Sequence, residues 1–164
     1  AANTILSHQL MINALKYTPV AKGLIPTGEL LPVKGTPLDF TRFTAIGARI
    51  DTPNEQLALG KGYDHNYVLN KKSGESGLAA EIYSDQTGII MKVITDQPGL
   101  QFYSGNFMDG TLTGKRGDIH AFRTGFALEA QNYPDAPNHP NFPSAVLNPG
   151  ETYTQSTSYA FGIR

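Results

Sequence analysis

The chain of 164 residues contains no cysteine. This absence excludes a disulfide framework, a thiolate nucleophile and a zinc site built from cysteine. Apolar runs are short as well, and none approaches the roughly 18 residues that a membrane-spanning helix needs. There is also no Asn-x-Ser/Thr sequon for glycosylation. We expect a cytoplasmic protein, although a cysteine-free chain also suits a secreted one.

Neither basic nor acidic residues are in clear excess. Lysine and arginine number 13 against 14 acidic residues, which leaves a formal net charge of -1 with neutral histidines. No run of five or more basic residues occurs, so the chain offers little to a nucleic-acid backbone. At 40% hydrophobic and 16% charged residues, the composition is that of a globular domain long enough to bury a core.

What the chain does contain is short segments in which apolar and polar residues alternate. Residues 78–83 and 88–95 predict an antiparallel pair joined through a turn at 84–88. Residues 41–50 carry apolar side chains at roughly helical spacing, but Gly47 interrupts them, so one helical turn is the most we predict. Strand signals outnumber helix signals, which predicts an antiparallel all-β fold, either a sandwich or an open barrel.

The most unusual stretch is residues 126–143, where a strand pattern meets a proline-rich loop. Residues 126–131 alternate with period 2, which places Glu129 on one face of a strand. Four prolines then recur at every third position (Pro134, Pro137, Pro140 and Pro143), and they predict an extended, preorganised loop beside that carboxylate. The same pattern also fits a rigid surface loop with Glu129 as an ordinary solvated acid.

Five segments carry a resemblance to a known family. Residues 128–151 read LEAQNYPDAPNHPNFPSAVLNPGE, residues 62–67 read GYDHNY, and residues 96–106 read DQPGLQFYSGN. Residues 26–29 (PTGE) and 35–40 (GTPLDF) fit the same order and spacing. Together they resemble the C-terminal half of the galactose mutarotases, or aldose 1-epimerases.

The resemblance implies a large antiparallel β-sandwich, the supersandwich of galactose mutarotases, with this chain supplying its C-terminal half. Residues 1–164 would then form the C-terminal part of a single aldose 1-epimerase domain. Family members are about twice as long, and the chain begins at Ala1 rather than at a methionine. We therefore expect it to be one piece of a longer product, found together with an N-terminal half that covers its exposed sheet edges and apolar face.

The resemblance also implies a function and the residues that carry it. Aldose 1-epimerases interconvert the α and β anomers of a free hexose such as galactose or glucose, without a cofactor. Glu129 matches the family's general base, Asp64 matches an acceptor of hydrogen bonds from sugar hydroxyls, and Gln101 matches a sugar-contacting glutamine. The family's general acid is a histidine in the N-terminal half. None of the four histidines here (His8, His65, His120 and His139) lies in the matching motif.

From the residues alone, other interpretations stay open. Asp64 also fits a turn cap, and Gln101 also fits an outward-facing strand residue. Asp64 and Glu129 could instead be a glycosidase pair about 5–10 Å apart, or the chain could bind sugars without chemistry. His65 and His139 lack ligand spacing, so we predict structural histidines and no metal site. Aromatic residues flank the polar candidates and could stack on a sugar, but core positions are the simpler interpretation; these are Tyr63, Tyr67, Phe102, Tyr103 and Tyr133.

Overall fold

The computed structural model describes residues 4–72 and 74–164, and within them the chain forms two five-stranded antiparallel sheets. The prediction of an antiparallel all-β fold is therefore confirmed. The strands are β1 (Gln9–Ile12), β2 (Ala14–Tyr17), β3 (Leu31–Pro32), β4 (Thr44–Ala45), β5 (Asp64–Leu69), β6 (Gly77–Tyr83), β7 (Ile89–Thr95), β8 (Gly99–Tyr103), β9 (Ala127–Gln131) and β10 (Thr157–Ile163). The first sheet has the order β10-β7-β6-β1-β4 and the second the order β3-β2-β5-β8-β9.

The two sheets share one hydrophobic core. Side chains from β1, β6 and β7 join side chains from β2, β5, β8 and β9 in a single buried cluster. Leu10 and Ile12 come from the first sheet, and Tyr67, Leu100 and Phe102 come from the second; all five are fully buried. This arrangement is a β-sandwich, and it places the inner face of each sheet against the other.

The predicted pairing of residues 78–83 with 88–95 is confirmed as the β6–β7 hairpin, in which Tyr83 faces Ile90. Gly88 closes the turn with a backbone hydrogen bond of 2.8 Å to the carbonyl of Ser84. Its φ of 69° lies in the left-handed region that glycine adopts readily. The helical turn predicted within residues 41–50 is also present, as a 3-10 helix at Ile46–Ala48.

One helix was not predicted from the sequence. Helix α1 (Glu55–Gly60) begins after Asn54, whose side chain accepts hydrogen bonds from the backbone N–H groups of Gln56 and Leu57. It ends at Lys61, which adopts the left-handed conformation of a C-terminal cap. The Gln56 side chain ties the helix to the segment that follows β2, because it bonds both backbone groups of Val20, at 2.8 and 2.9 Å.

One prediction around the proline-rich segment is confirmed and one is corrected. The strand predicted over residues 126–131 is present as β9, which begins at Ala127. The loop after β9 is not simply extended: Asp135 has a φ of 60° and a 3-10 helix follows at Ala136–Asn138. Proline 137 fits there since its fixed φ is compatible with a helical turn. Tyr133 and Phe142 anchor the loop in a second small apolar cluster.

The glycine-rich stretch after β8 is also more regular than expected. Sequence composition predicts a long flexible excursion there. The structure instead has an antiparallel bridge between Thr113 and Ile119, supported by backbone hydrogen bonds that join His120 to Gly110 and to Leu112.

No helix among the described residues is long and apolar enough to cross a membrane.

Candidate active site

The three candidate site residues lie on one face of the second sheet. In the register of the strands, Asn66 of β5 faces Gln101 of β8, and Gln101 faces Glu129 of β9. Asp64 lies two residues before Asn66, so it points to the same side. Residues distant in sequence therefore meet on the outer face of β5, β8 and β9, opposite the core.

Asp64 and Gln101 are in direct contact. The Gln101 Nε2 atom donates a hydrogen bond of 2.7 Å to Asp64 Oδ1. Burial raises the pKa of Asp64 above the ordinary aspartate value, and this hydrogen bond partly offsets the effect. The contact holds one carboxylate oxygen in place and leaves the other able to accept a further hydrogen bond.

Glu129 has a different environment. It is exposed, and among the described residues neither a salt bridge nor a side-chain hydrogen bond engages its carboxylate. It lines an open concavity between β9 and β10, together with Gln155, Ser156, Thr157 and Tyr159. The Tyr159 hydroxyl crosses this gap and donates a hydrogen bond of 3.1 Å to the carbonyl of Leu128. A carboxylate without a competing donor is free to accept a proton from a ligand.

Two further polar residues on this face were not singled out from the sequence. The Gln131 Nε2 atom lies 3.2 Å from Asn66 Oδ1 and 3.3 Å from Gln101 Oε1, so it donates to both oxygens. Asn66 is 2% exposed, and its Nδ2 atom has no hydrogen-bond partner among the described residues. Alternation from Asp64 to Asn66 and from Glu129 to Gln131 is the sequence signal that could have found them.

A small cavity opens beside Asp64, Asn66 and Gln101. Its volume is about 50 Å³, which holds a hydroxyl group or a water molecule but not a sugar ring. Asp64 lines this cavity with an acidic side chain, and Asn66 and Gln101 line it with carboxamides. The remaining lining residues are Thr18, Val20, Leu24, Pro26 and Pro134.

The aldose 1-epimerase family model matches residues 1–160 of the chain. The chain belongs to the aldose 1-epimerase family. Its sequence is 42% identical to human galactose mutarotase over 99% of this chain and 46% of that protein. It is 40% identical to the aldose 1-epimerase of Escherichia coli strain K12 over 96% of this chain and 45% of that protein. The chain thus spans about half the length of the curated relatives it matches.

Solved structures of aldose epimerases have the same fold. A Caenorhabditis elegans aldose epimerase homologue aligns with a TM-score of 0.83 at 26% identity, over 98% of this chain and 47% of that one. The galactose 1-epimerase of Lactobacillus acidophilus NCFM aligns with a TM-score of 0.81 at 28% identity, over 98% of this chain and 45% of that one. The predicted galactose mutarotase-like sandwich is confirmed by these neighbours.

The second sheet also brings a glycine close to the amide groups. Gly99 begins β8 and is the register partner of Gln131. A Cβ atom built on Gly99 would overlap Asn66 Oδ1 and would lie 3.1 Å from the ring of Tyr133. The reason for glycine here is therefore room for neighbouring side chains.

His65 and His139 have structural surroundings. His65 is fully buried on the core face of β5, and its Nδ1 atom accepts a hydrogen bond of 3.1 Å from the backbone N–H of Asp64. Burial lowers its pKa to about 4, so the ring is neutral. His139 Nε2 lies 3.3 Å from both Asp135 and the carbonyl of Pro26. Residues 4–72 and 74–164 contain no cluster of three potential metal ligands.

Proposed function

We propose that the protein containing this chain is an aldose 1-epimerase that interconverts the α and β anomers of a free hexose, galactose or glucose. The observation that carries the proposal is the shared face of Asp64, Gln101 and Glu129 on a family-typical sheet. The names of the relatives, galactose mutarotase and aldose 1-epimerase, support the same substrate class. A cytoplasmic location stays a prediction.

Glu129 acts as the general base. Its carboxylate takes the proton of the anomeric hydroxyl while an acid protonates the ring oxygen, and the C1–ring oxygen bond breaks to give the open-chain aldehyde. Rotation about C1–C2 and the reverse proton transfers close the ring to the other anomer. The sugar exchanges only protons with the groups around it while its C1–ring oxygen bond breaks and re-forms, so the reaction needs no cofactor. Positioned acid–base groups of this kind contribute on the order of 10²–10⁴ in rate.

Asp64 and Gln101 orient the sugar. Asp64 retains a free carboxylate oxygen for a sugar hydroxyl because its other oxygen is held by Gln101. The small cavity at their side accepts one hydroxyl group. Half-buried Tyr103, the register partner of Asp64, adds an aromatic surface next to them, whereas Tyr63, Tyr67, Phe102 and Tyr133 are buried.

The general acid lies outside this chain. We infer that residues 1–164 are the C-terminal part of a single epimerase domain and that an N-terminal half supplies the acid histidine. His65 does not substitute for it, since its ring is buried on the opposite face of the sheet. Strand β9 is the edge of its sheet, which leaves room for further strands beside Glu129. The share of the relatives that the chain covers supports this proposal.

A glycosidase is less well supported. Asp64 lies on β5 and Glu129 on β9, with β8 between them, and the two residues are offset by two positions along the strands. Sheet geometry therefore puts their Cα atoms about 12 Å apart. Gln101 stands between them and binds Asp64. Glycosidases place their two carboxyl groups about 5–5.5 Å apart when they retain the anomeric configuration and about 6.5–9.5 Å apart when they invert it.

Polarimetry of freshly dissolved α-D-galactose tests the proposal. The protein is compared with Glu129→Gln and with Glu81→Gln, which removes a carboxylate from β6 in the other sheet. We expect Glu129→Gln to lower the rate of mutarotation on the order of 10²–10⁴-fold and Glu81→Gln to leave it unchanged.

Mutarotation that survives Glu129→Gln would contradict the assignment of the base. Sugar binding without acceleration by any of the three proteins would instead indicate a binding module. Release of nitrophenol from a nitrophenyl galactoside would indicate a glycosidase.

A further inference from the structure

A chain of side-chain hydrogen bonds runs across three strands of the site face. It joins Asp64 to Gln101, Gln101 to Gln131, and Gln131 to Asn66, at 2.7, 3.3 and 3.2 Å. We propose that Gln131 is a positioning residue, which fixes the Gln101 carboxamide so that its nitrogen faces Asp64. The inference rests on the proposed epimerase function, in which Asp64 holds the sugar.

The two ends of a carboxamide differ chemically. One end accepts hydrogen bonds and the other donates them, so turning the group by half a turn exchanges the two roles. Gln131 presents its nitrogen to two oxygens at once, those of Gln101 and Asn66. A reversed Gln131 would set its own oxygen against both of them. A reversed Gln101 would set its oxygen against the Asp64 carboxylate.

Burial makes this orientation consequential. Asn66 is almost fully buried, and Asp64, Gln101 and Gln131 are half-buried. Water therefore competes weakly with these hydrogen bonds, and an unmatched pair of oxygens is costly there. These hydrogen-bonded side chains select one another's orientation. Gln101 and Gln131 each bind two of the others, and Gln131 is the one that donates to two oxygens.

The consequence reaches the sugar site through Asp64. With the Gln101 nitrogen fixed, one oxygen of Asp64 is engaged and the other is presented to the ligand. Gln131 lies two residues from Glu129 on β9, so the same strand provides the general base and the group that orients the sugar contact. Gln131 itself contacts no reacting atom.

A double-mutant cycle tests the proposal. The variants are Gln131→Met, which keeps the side-chain length without a donor, Gln101→Met, and the double variant. Gln9→Met makes the same change on β1 of the other sheet as a matched control. Mutarotation kinetics are measured on each protein, and the Asp64 carboxyl is titrated by carbon NMR without substrate.

We expect Gln131→Met to raise KM about fivefold, the equivalent of one net hydrogen bond, with kcat changed less than twofold. The Asp64 titration midpoint should rise, because Gln101 no longer donates to it constantly. Both effects should vanish in the Gln101→Met background, since Gln131 acts through Gln101. Gln9→Met should change neither quantity.

An unchanged Asp64 titration in Gln131→Met, or effects that add to those of Gln101→Met, would overturn the proposal. If Gln131→Met does not fold, Gln131→Glu replaces it: this variant turns a donor into an acceptor and should raise the Asp64 midpoint more in the native than in the Gln101→Met background. The titration needs no turnover. A protein that shows this coupling but no mutarotation would refute the proposed function and leave the positioning role standing.

Discussion

The two faces of strands β5, β8 and β9 have opposite characters, although they alternate residue by residue along the same backbone. The inner face is apolar apart from one neutral histidine, and its members are buried in the shared core: His65, Tyr67, Leu100, Phe102 and Leu128. The outer face carries carboxylates and carboxamides. Four of them bind one another across the strands, namely Asp64, Asn66, Gln101 and Gln131, and Glu129 lies beside them without a side-chain hydrogen bond among the described residues.

Side chains that stabilise the fold and side chains proposed to carry the chemistry therefore lie on the same strands and differ in the face to which they point. Each inward side chain is held by packing, and this packing fixes the backbone from which the outward side chains project. Substitutions on the inner face should therefore change the free energy of unfolding, whereas those on the outer face should change activity and sugar affinity.

The largest effect on the inner face is expected at Phe102, which is fully buried and packs against Phe40 and Tyr63 with ring centroids 5.7 and 5.3 Å away. Phe102→Ala should lower the free energy of unfolding by about 3–5 kcal/mol, measured by urea denaturation, because it leaves a cavity. Phe102→Leu should cost less than about 1.5 kcal/mol. A loss below about 1 kcal/mol for Phe102→Ala would contradict the separation of the faces.

A smaller effect is expected at His65 and depends on pH. Burial lowers the pKa of His65 to about 4, below the ordinary value near 6.5, so the unfolded chain binds this proton first as the pH falls. The stabilisation from the neutral ring is present above pH 6.5 and is lost between about pH 6.5 and 4, by about 3 kcal/mol in total.

The variant His65→Asn removes the titrating group and keeps an acceptor for the backbone N–H of Asp64. Its unfolding free energy should fall less steeply with acid than that of the native protein, as measured by urea denaturation between pH 7 and 4. His120→Asn, at an exposed position, is the matched control and should keep the native slope. Equal slopes for His65→Asn and the native protein would refute this prediction.

The smallest effect on stability is expected on the outer face, at Asp64. There a substitution should raise the free energy of unfolding, whereas substitutions in the core lower it. Burial raises the pKa of Asp64, so the ionised carboxylate costs stability at neutral pH, and this cost disappears as the pH falls towards the ordinary value. Asp64→Asn should unfold at a higher urea concentration than the native protein at pH 7, with a smaller difference at pH 4.

The same change should raise KM for galactose about tenfold, because a charged acceptor for a sugar hydroxyl is lost. Exposed Asp118 provides the control: Asp118→Asn should alter neither urea midpoint nor KM. A destabilised Asp64→Asn at pH 7, or an unchanged KM, would show that Asp64 belongs to the structural side of the comparison.

The alternating patterns were sufficient to predict the β6–β7 pair and strand β9. They placed Glu129 on a strand and the β6–β7 pair in a hairpin, because both depend on neighbours in the chain. The roles of Asp64, Gln101 and Glu129 came from motif resemblance and stay predictions, and the register of the strands shows that the three residues share a face.

What the sequence could not predict depends on long-range register. Gln131 and Asn66 are 65 positions apart, and they meet only because β8 pairs with both β5 and β9. By contrast, helix α1 was within reach, since Asn54 and Lys61-Gly62 supply ordinary start and stop signals.

Two glycines, Gly77 and Gly99, each begin a strand, but they differ in what a mutational scan should tolerate. A Cβ atom on Gly77 would meet only the flexible Lys71 side chain, at 3.4 Å and beyond, among the described residues, whereas one on Gly99 would displace Asn66. Selection for mutarotation should therefore deplete alanine at position 99 and accept it at position 77. Gly99 has no side chain of its own, yet its substitution should lower fitness because it would disturb the polar network to which Asn66 belongs.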